Sequence, residues 1–194
     1  KKTERLKMVF KNAWNNKTQR EGKLHRPAKL TKRSFALAIS KLIRQDPRLA
    51  EIVNRWGIPP FWVHPEGFPG ITHAILAQQV SLESARAAFR KLENTISTVS
   101  PEGFLALDPD ALKKIGFSRQ KTSYCRELAH LILASKLDLN SLNPLNDEGV
   151  RRTLINVRGI GQWTAEIYLL MAMMRSDAWP YGDLALRHAV RRLK

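Results

Sequence analysis

The sequence is poor in cysteine and has no long hydrophobic run. Cys125 is the only cysteine among 194 residues, which excludes a disulfide framework, a zinc cluster and a cysteine-ligated iron–sulfur cluster. Its helical spacing from Leu128 and Leu131 predicts a small buried side chain. The longest apolar runs, residues 35–39 and 167–174, are far shorter than a membrane span, and no signal-peptide pattern opens the chain. We therefore expect a soluble, intracellular protein.

Sustained alternation of apolar and polar residues is also absent, so the sequence gives almost no signal for β-strands. From Ser34 onward, apolar residues recur at spacings of three and four, which is typical of helices. Signals for helix starts are frequent, and they lie at Ser81, Ser100-Pro101, Asp108-Pro109, Ser118 and Asn146. We predict an all-α protein of two helical lobes without an internal repeat.

Acidic residues are few, and the formal net charge is +16. Residues 1–50 carry a net +12 and residues 51–194 a net +4. Such a surplus favours a polyanionic partner through counterion release and electrostatic steering. Charge alone leaves DNA, RNA and an anionic membrane open, and a solvated tail explains residues 1–33 equally well.

The apolar pattern divides the chain near residue 33. Residues 1–33 predict a basic, poorly ordered or extended arm, and residues 34–194 a helical domain. Residues 57–70 are rich in proline and glycine and predict a rigid loop between helices. Because the chain opens on Lys1 and stops at Lys194 inside a helical pattern, we expect a fragment.

Residues 154–165, Leu-Ile-Asn-Val-Arg-Gly-Ile-Gly-Gln-Trp-Thr-Ala, predict a turn between two helices, the whole hairpin covering residues 147–174. Glycines two apart permit positive φ and let backbone amides face a ligand, and the next helix begins with free N–H groups that suit a phosphate. Such contacts position a nucleic acid without specifying its sequence. An ordinary helix–helix turn is the alternative. The predicted phosphate-binding residues are Val157, Arg158, Gly159, Gly161, Gln162 and Thr164.

These residues carry a family resemblance. The pattern Leu-x-x-Val-x-Gly-Ile-Gly-x-Trp-Thr-Ala, with an acid twenty positions after Trp163, resembles the helix-hairpin-helix DNA glycosylases. Within them it is similar to the alkylbase group, the 3-methyladenine DNA glycosylase II type. The similarity extends back through residues 75–85 and 115–122, so it covers roughly residues 50–194. It implies a two-lobed helical glycosylase fold, a monomer, and double-stranded DNA with damaged bases as the partner.

The resemblance implies cleavage of the N-glycosidic bond of a nucleotide flipped out of the duplex, with Asp183 as the catalytic residue. As N-cap of a helix predicted over residues 184–193, Asp183 is favoured in its ionised form by the helix dipole. A carboxylate beside the sugar can stabilise an oxocarbenium-like transition state and can orient or deprotonate the attacking water. A helix cap without catalysis is the alternative.

Trp163 stands where bifunctional relatives carry a lysine that forms a Schiff base before strand cleavage. The chain has no lysine between Lys136 and Lys194, so the resemblance implies a monofunctional enzyme without lyase activity. We predict that Trp163 stacks on the flipped base, with Trp62 and Tyr168 as further stacking residues. Packing within the core is the alternative for all three.

The resemblance also implies a wedge residue that fills the gap left by the flipped nucleotide. Gln79 is the better match, and a buried capping glutamine is the alternative.

The side chains that flank the motifs and are candidates for phosphate contacts are Arg119, Lys121, Arg158 and Arg187. We predict no cofactor, no iron–sulfur cluster and no metal site made of side chains. The resemblance also implies that the hairpin can hold a monovalent cation through backbone carbonyls, which in this sequence are those of Val157 and its neighbours.

The function implied is a monofunctional glycosylase for alkylated purines in base excision repair, in the nucleus of a eukaryote or the cytoplasm of a prokaryote. Two alternatives stay open. One is a DNA-binding module without catalysis, and the other is a glycosylase for uracil, hypoxanthine or oxidised bases.

Overall fold

Helices in this protein begin where the sequence supplies capping side chains. Side chains of Ser81, Ser118 and Asn146 each accept a hydrogen bond from the backbone amide three residues on. Ser100 and Asp108 do the same ahead of a proline at the first helical position. Each of these positions was predicted from the sequence.

The computed structural model describes residues 29–193, and the predicted arm over residues 1–28 lies outside the described residues. Within that range the helices are α1 (Lys32–Gln45), α2 (Pro47–Trp56), α3 (Phe68–Leu76), α4 (Leu82–Thr95), α5 (Pro101–Ala106), α6 (Pro109–Ile115), α7 (Arg119–Leu133), α8 (Asp147–Ile155), α9 (Gln162–Ile167) and α10 (Leu184–Leu193). A 3-10 turn covers Asn140–Leu142, and a π-helical segment, Tyr168–Ala172, continues α9. Among these residues the β-type pairing is a single bridge between Lys29 and Arg175. The predicted all-α class is confirmed.

Helix α3 lies at the centre of the apolar core. All its residues except Pro69 are buried, and it packs against α4, α7, α9 and the π-helical segment. Cys125 on α7 is 0% exposed, as predicted, and burial raises the pKa of its thiol to about 12. That thiol therefore stays protonated at neutral pH. No helix within residues 29–193 is long and apolar enough to cross a bilayer.

Two predicted boundaries differ from the structure. Leu30 N–H donates to the Met174 carbonyl (2.8 Å), and Thr31 caps α1, so the helical body includes residues that were predicted to belong to the arm. These are backbone contacts, and a periodicity of apolar side chains does not report them. The loop predicted over residues 57–70 ends earlier, because Pro69 fits the first turn of α3.

Candidate functional site

The turn between α8 and α9 uses its two glycines differently. Gly159 has φ +86°, and a Cβ there would lie 2.2 Å from Cγ of Tyr124, so both the conformation and the packing require glycine. Gly161 has an ordinary φ of −90° and no atom within 4 Å of an added Cβ. It precedes α9 with no side-chain cap. The start of α9 therefore has no side-chain cap, and the space beside Gly161 is open.

The predicted phosphate-binding residues divide into exposed and enclosed groups. Gly161 and Gln162 are exposed, and the side chain of Arg158 is 67% exposed beside Glu127 (3.6 Å). Thr164 is buried, and its hydroxyl accepts a hydrogen bond from the Gln78 side chain (2.9 Å), so its side chain is engaged within the protein. Val157 is buried, with its N–H donating to Leu154 and its carbonyl accepting from Ile160. The structure gives Val157 no free group for a phosphate.

Asp183 and Trp163 are joined directly. The indole Nε1 of Trp163 donates to Oδ2 of Asp183 (3.1 Å), and Oδ1 accepts from the backbone N–H of Leu186 (2.9 Å). Asp183 therefore caps α10, as its position before that helix predicts. Each carboxylate oxygen can accept more than one hydrogen bond, so the half-buried carboxylate keeps capacity for a water molecule.

The loop that carries Asp183 is anchored by a buried carboxylate that the sequence analysis missed. Glu166, 1% exposed, accepts from Arg151 Nε (2.7 Å) through Oε1 and from Trp179 N–H (3.2 Å) through Oε2. Burial lowers the pKa of the Arg151 guanidinium, but Glu166 and Glu148 outweigh burial, and the net direction is upward. A lone acid in the apolar stretch 165–169 was the available signal, because such a group needs a partner.

Gln79 and Gln78 lie in the turn between α3 and α4, which we call the 77–80 turn. Gln79 is exposed with φ +56°. Gln78 is the half-buried one, and its Nε2 donates to the Gly159 carbonyl (2.8 Å) and the Thr164 hydroxyl (2.9 Å). The alternative of a buried glutamine therefore describes Gln78, whereas Gln79 is free to contact a ligand.

Lys121 was a candidate for phosphate contact, and its surroundings contradict this. Its Nζ donates to the carbonyls of Leu76 (2.6 Å) and Gln78 (2.9 Å). Burial lowers the pKa of this ammonium. A cation already engaged by two carbonyls at the end of α3 is part of the internal structure.

The two further aromatic candidates have different surroundings. Trp62 is 44% exposed, and the guanidinium of Arg86 lies over its ring, 5.3 Å from the centroid. Tyr168 is 3% exposed, and its hydroxyl accepts from Gly67 N–H (2.9 Å). Stacking of a base on Tyr168 is contradicted, because no ring face is accessible. Its hydroxyl instead fixes the end of the loop that carries Trp62.

Other features lie away from Asp183. Within residues 29–193 no cluster of three or more His, Cys, Asp or Glu is arranged to hold a metal ion. A cavity of about 800 Å³ runs along α6 and α7, and its lining includes Arg119 but not Trp163, Asp183 or Gln79. It is therefore separate from the hairpin site.

Known proteins are similar to this chain in sequence and in fold. Residues 72–194 match the family model described as HhH-GPD superfamily base excision DNA repair protein. The structure of Schizosaccharomyces pombe 3-methyladenine DNA glycosylase in complex with abasic DNA is similar at TM-score 0.71 and 25% identity, over 80% of this chain and 79% of that one. DNA-3-methyladenine glycosidase from Bacillus halodurans is similar at TM-score 0.62 and 27% identity, over 80% and 72%.

A curated relative is matched over a shorter region. YfjP of Bacillus subtilis is 33% identical over 92 residues, which are 47% of this chain. The match spans about a third of the length of YfjP (32%). This match therefore covers only a part of each protein.

Proposed function

We propose that this chain, which belongs to the HhH-GPD superfamily of base excision DNA repair proteins, is a DNA glycosylase that removes alkylated purines of the 3-methyladenine type. The observation that carries this proposal is the bond between Trp163 and Asp183 (3.1 Å) beside the hairpin. It brings an aromatic ring and a carboxylate together where a flipped nucleotide would present its base and its sugar. The names of the similar structures support the class of substrate.

In the proposed reaction, water attacks C1′ while the C1′–N bond breaks. The electron pair of that bond leaves with the base, and an alkylated purine accepts it readily because the base is cationic before cleavage. Asp183 stabilises the positive charge that develops on the sugar and orients the water. The proton of the water passes to Asp183 or to solvent.

Trp163 supplies the stacking face. A cationic base over an indole gains roughly 0.5–2 kcal/mol, and the hydrogen bond to Asp183 fixes the plane of the ring. The chain has no lysine between Lys136 and Lys194, which supports hydrolysis without a Schiff base and hence without strand cleavage. Trp62 is a second stacking residue, provided that Arg86 moves from its ring.

The proposed partner is double-stranded DNA containing damaged bases, bound by a monomer. Backbone amides at Gly161, Gln162 and Thr164 contact one phosphate, Gly159 allows the turn, and Arg158 adds charge. Gln79 fills the gap left by the flipped nucleotide. We also propose that a monovalent cation binds to the hairpin carbonyls. DNA affinity measured with and without such a cation tests this.

Base release from methylated duplex DNA tests the proposed function, with Asp183→Asn as the diagnostic variant. Wild type is expected to release methylpurines. Asp183→Asn is expected to lose at least about 100-fold in single-turnover rate while binding abasic DNA within about twofold of wild type.

Two other outcomes assign the protein to the alternatives. Tight DNA binding with no release of any base identifies a binding module. Release of uracil, hypoxanthine or oxidised purines, but not of methylpurines, identifies another glycosylase class.

A further inference from the structure

The 77–80 turn holds a conformation that its own sequence does not favour. Gln79 has φ +56°, a region that residues other than glycine occupy mainly where the surrounding structure determines it. The side chain of Gln79 is exposed and supplies no such constraint. The constraint must therefore come from the residues around it.

One constraint is Lys121, which reaches the turn from α7. Its ammonium bridges the carbonyls of Leu76 (2.6 Å) and Gln78 (2.9 Å). The last carbonyls of a helix lack intrahelical partners and form the negative end of its dipole. A single cation therefore satisfies one such group, at Leu76, together with the carbonyl of Gln78 beyond the helix, and it fixes the chain immediately before Gln79.

The second constraint is the side chain of Gln78. A glutamine amide has two N–H donors, and both are used, on the Gly159 carbonyl (2.8 Å) and the Thr164 hydroxyl (2.9 Å). Gly159 lies in the hairpin turn and Thr164 in the first turn of α9. The residue adjacent to Gln79 is thus bonded to α7 through its backbone and to the hairpin through its side chain.

We propose that Lys121 and Gln78 are positioning residues that fix Gln79 relative to the phosphate-binding hairpin before DNA is bound. The proposal rests on the proposed role of Gln79 as the wedge. A wedge already in place does not have to be ordered when the duplex is engaged. Its benefit is greatest for a base that is still paired, because an unpaired base requires less energy to leave the helix. Loosening the turn should therefore impair action on paired bases selectively.

The test compares two duplexes that differ only opposite the lesion. The methylpurine that wild type releases is placed opposite its normal partner in one duplex and opposite an abasic analogue in the other. Lys121→Met is expected to lower single-turnover release about tenfold in the paired duplex and less than about twofold in the unpaired one. Gln78→Leu should show the same pattern. Lys121→Arg, which keeps a positively charged donor, should retain most of the wild-type rate on the paired duplex.

Matched variants separate this proposal from the function on which it rests. Lys114→Met removes the same charge from an exposed position and should change neither duplex. Gln79→Ala should show the pairing-dependent loss itself. If Gln79→Ala shows it and Lys121→Met and Gln78→Leu do not, the positioning role is overturned and the wedge stands. If Gln79→Ala loses nothing while wild type releases methylpurines, the wedge role and this inference fail and the proposed glycosylase function stands. If wild type releases no methylpurine, the proposed function fails and this inference fails with it.

Hydrogen exchange provides a measurement that needs no substrate. The amides of Ala77 and Gln78, which donate to the carbonyls of His73 and Ile75, should exchange faster in Lys121→Met than in wild type, with α1 unchanged as an internal reference. Unchanged exchange in a folded Lys121→Met would contradict the constraint. If Lys121→Met fails to fold, Gln78→Leu provides the same comparison, because its side-chain bonds reach only the hairpin.

Discussion

Helix α9 and the turn before it contact both the loop ending at Asp183 and the 77–80 turn, but through different kinds of interaction. The loop ending at Asp183 is fixed by Glu166, a buried carboxylate paired with Arg151, and by the indole of Trp163. The 77–80 turn is bonded to the hairpin and α9 by the neutral side-chain amide of Gln78. A buried ion pair is costly to break from one side, whereas a neutral hydrogen bond contributes about 1 kcal/mol. The loop ending at Asp183 should therefore lose more stability than the 77–80 turn when one of its contacts is removed.

The largest effect is expected at the loop ending at Asp183. Glu166→Ala should lower the free energy of unfolding by about 3–5 kcal/mol, because it leaves the buried Arg151 without its enclosed partner. Urea denaturation measures this. Glu148→Ala removes the partner of Arg151 that is 51% exposed and should cost at most about 1 kcal/mol. Equal losses for the two variants would mean that the buried partner of Arg151 contributes no more to stability than the exposed one.

Acid should act on the helix that leads into the 77–80 turn. Burial, with His64 and Arg86 nearby, lowers the pKa of His73 to about 4, below its unfolded value of about 6.5. The stability that follows from this difference is fully present above pH 6.5 and is lost as the pH falls towards 4, on the order of 3 kcal/mol. Unfolding measured between pH 4 and 7 should show the loss, and His73→Phe should flatten it. An unchanged slope in that variant would mean that other groups cause the acid sensitivity.

The two hairpin glycines sharpen the comparison further. Gly159→Ala should destabilise the protein by about 2 kcal/mol, because it adds strain at φ +86° and a clash with Tyr124. Gly161→Ala should leave stability within about 0.5 kcal/mol but weaken DNA binding, since a methyl group would enter the space in front of α9. Melting temperature and affinity for abasic DNA separate the two effects. A Gly161→Ala variant that loses stability but keeps its affinity for abasic DNA would contradict a phosphate site at Gly161.

The smallest effect expected concerns the indole donor alone. Trp163→Phe keeps an aromatic face and removes the hydrogen bond to Asp183. Single-turnover release should fall about tenfold, with abasic DNA binding unchanged.

Borohydride should trap no covalent adduct in wild type or variant. A trapped adduct would contradict hydrolysis without a lysine nucleophile.

Features set by local sequence were predictable. A serine, asparagine or aspartate before a helix caps it through its side chain, which accepts from an amide two or three residues on, so the caps at Ser81, Asn146 and Asp183 were located correctly from a few neighbouring residues. The hairpin glycines were predictable for the same reason. Their different roles were not, because the positive φ of Gly159 and its contact with Tyr124, which distinguish it from Gly161, arise only in the folded chain.

The pairings that hold the site together were not predictable. Lys121 binds carbonyls 43 and 45 residues away, and Glu166 meets Arg151 across 15 residues, and neither separation leaves a local pattern. Periodicity also shows which face of a helix is apolar without showing what covers it. Tyr168 was therefore predicted to stack on a base, although Gly67 lies against its hydroxyl.

The burial of Cys125 has a practical consequence for following Gln79 during DNA binding. The sequence contains no other cysteine, and this one is protonated and enclosed, so thiol-directed reagents have no accessible target in the described part of the native protein. Gln79→Cys would introduce a single addressable thiol. A fluorophore or a disulfide tether attached there would report on, or trap, the moment at which this residue enters the duplex.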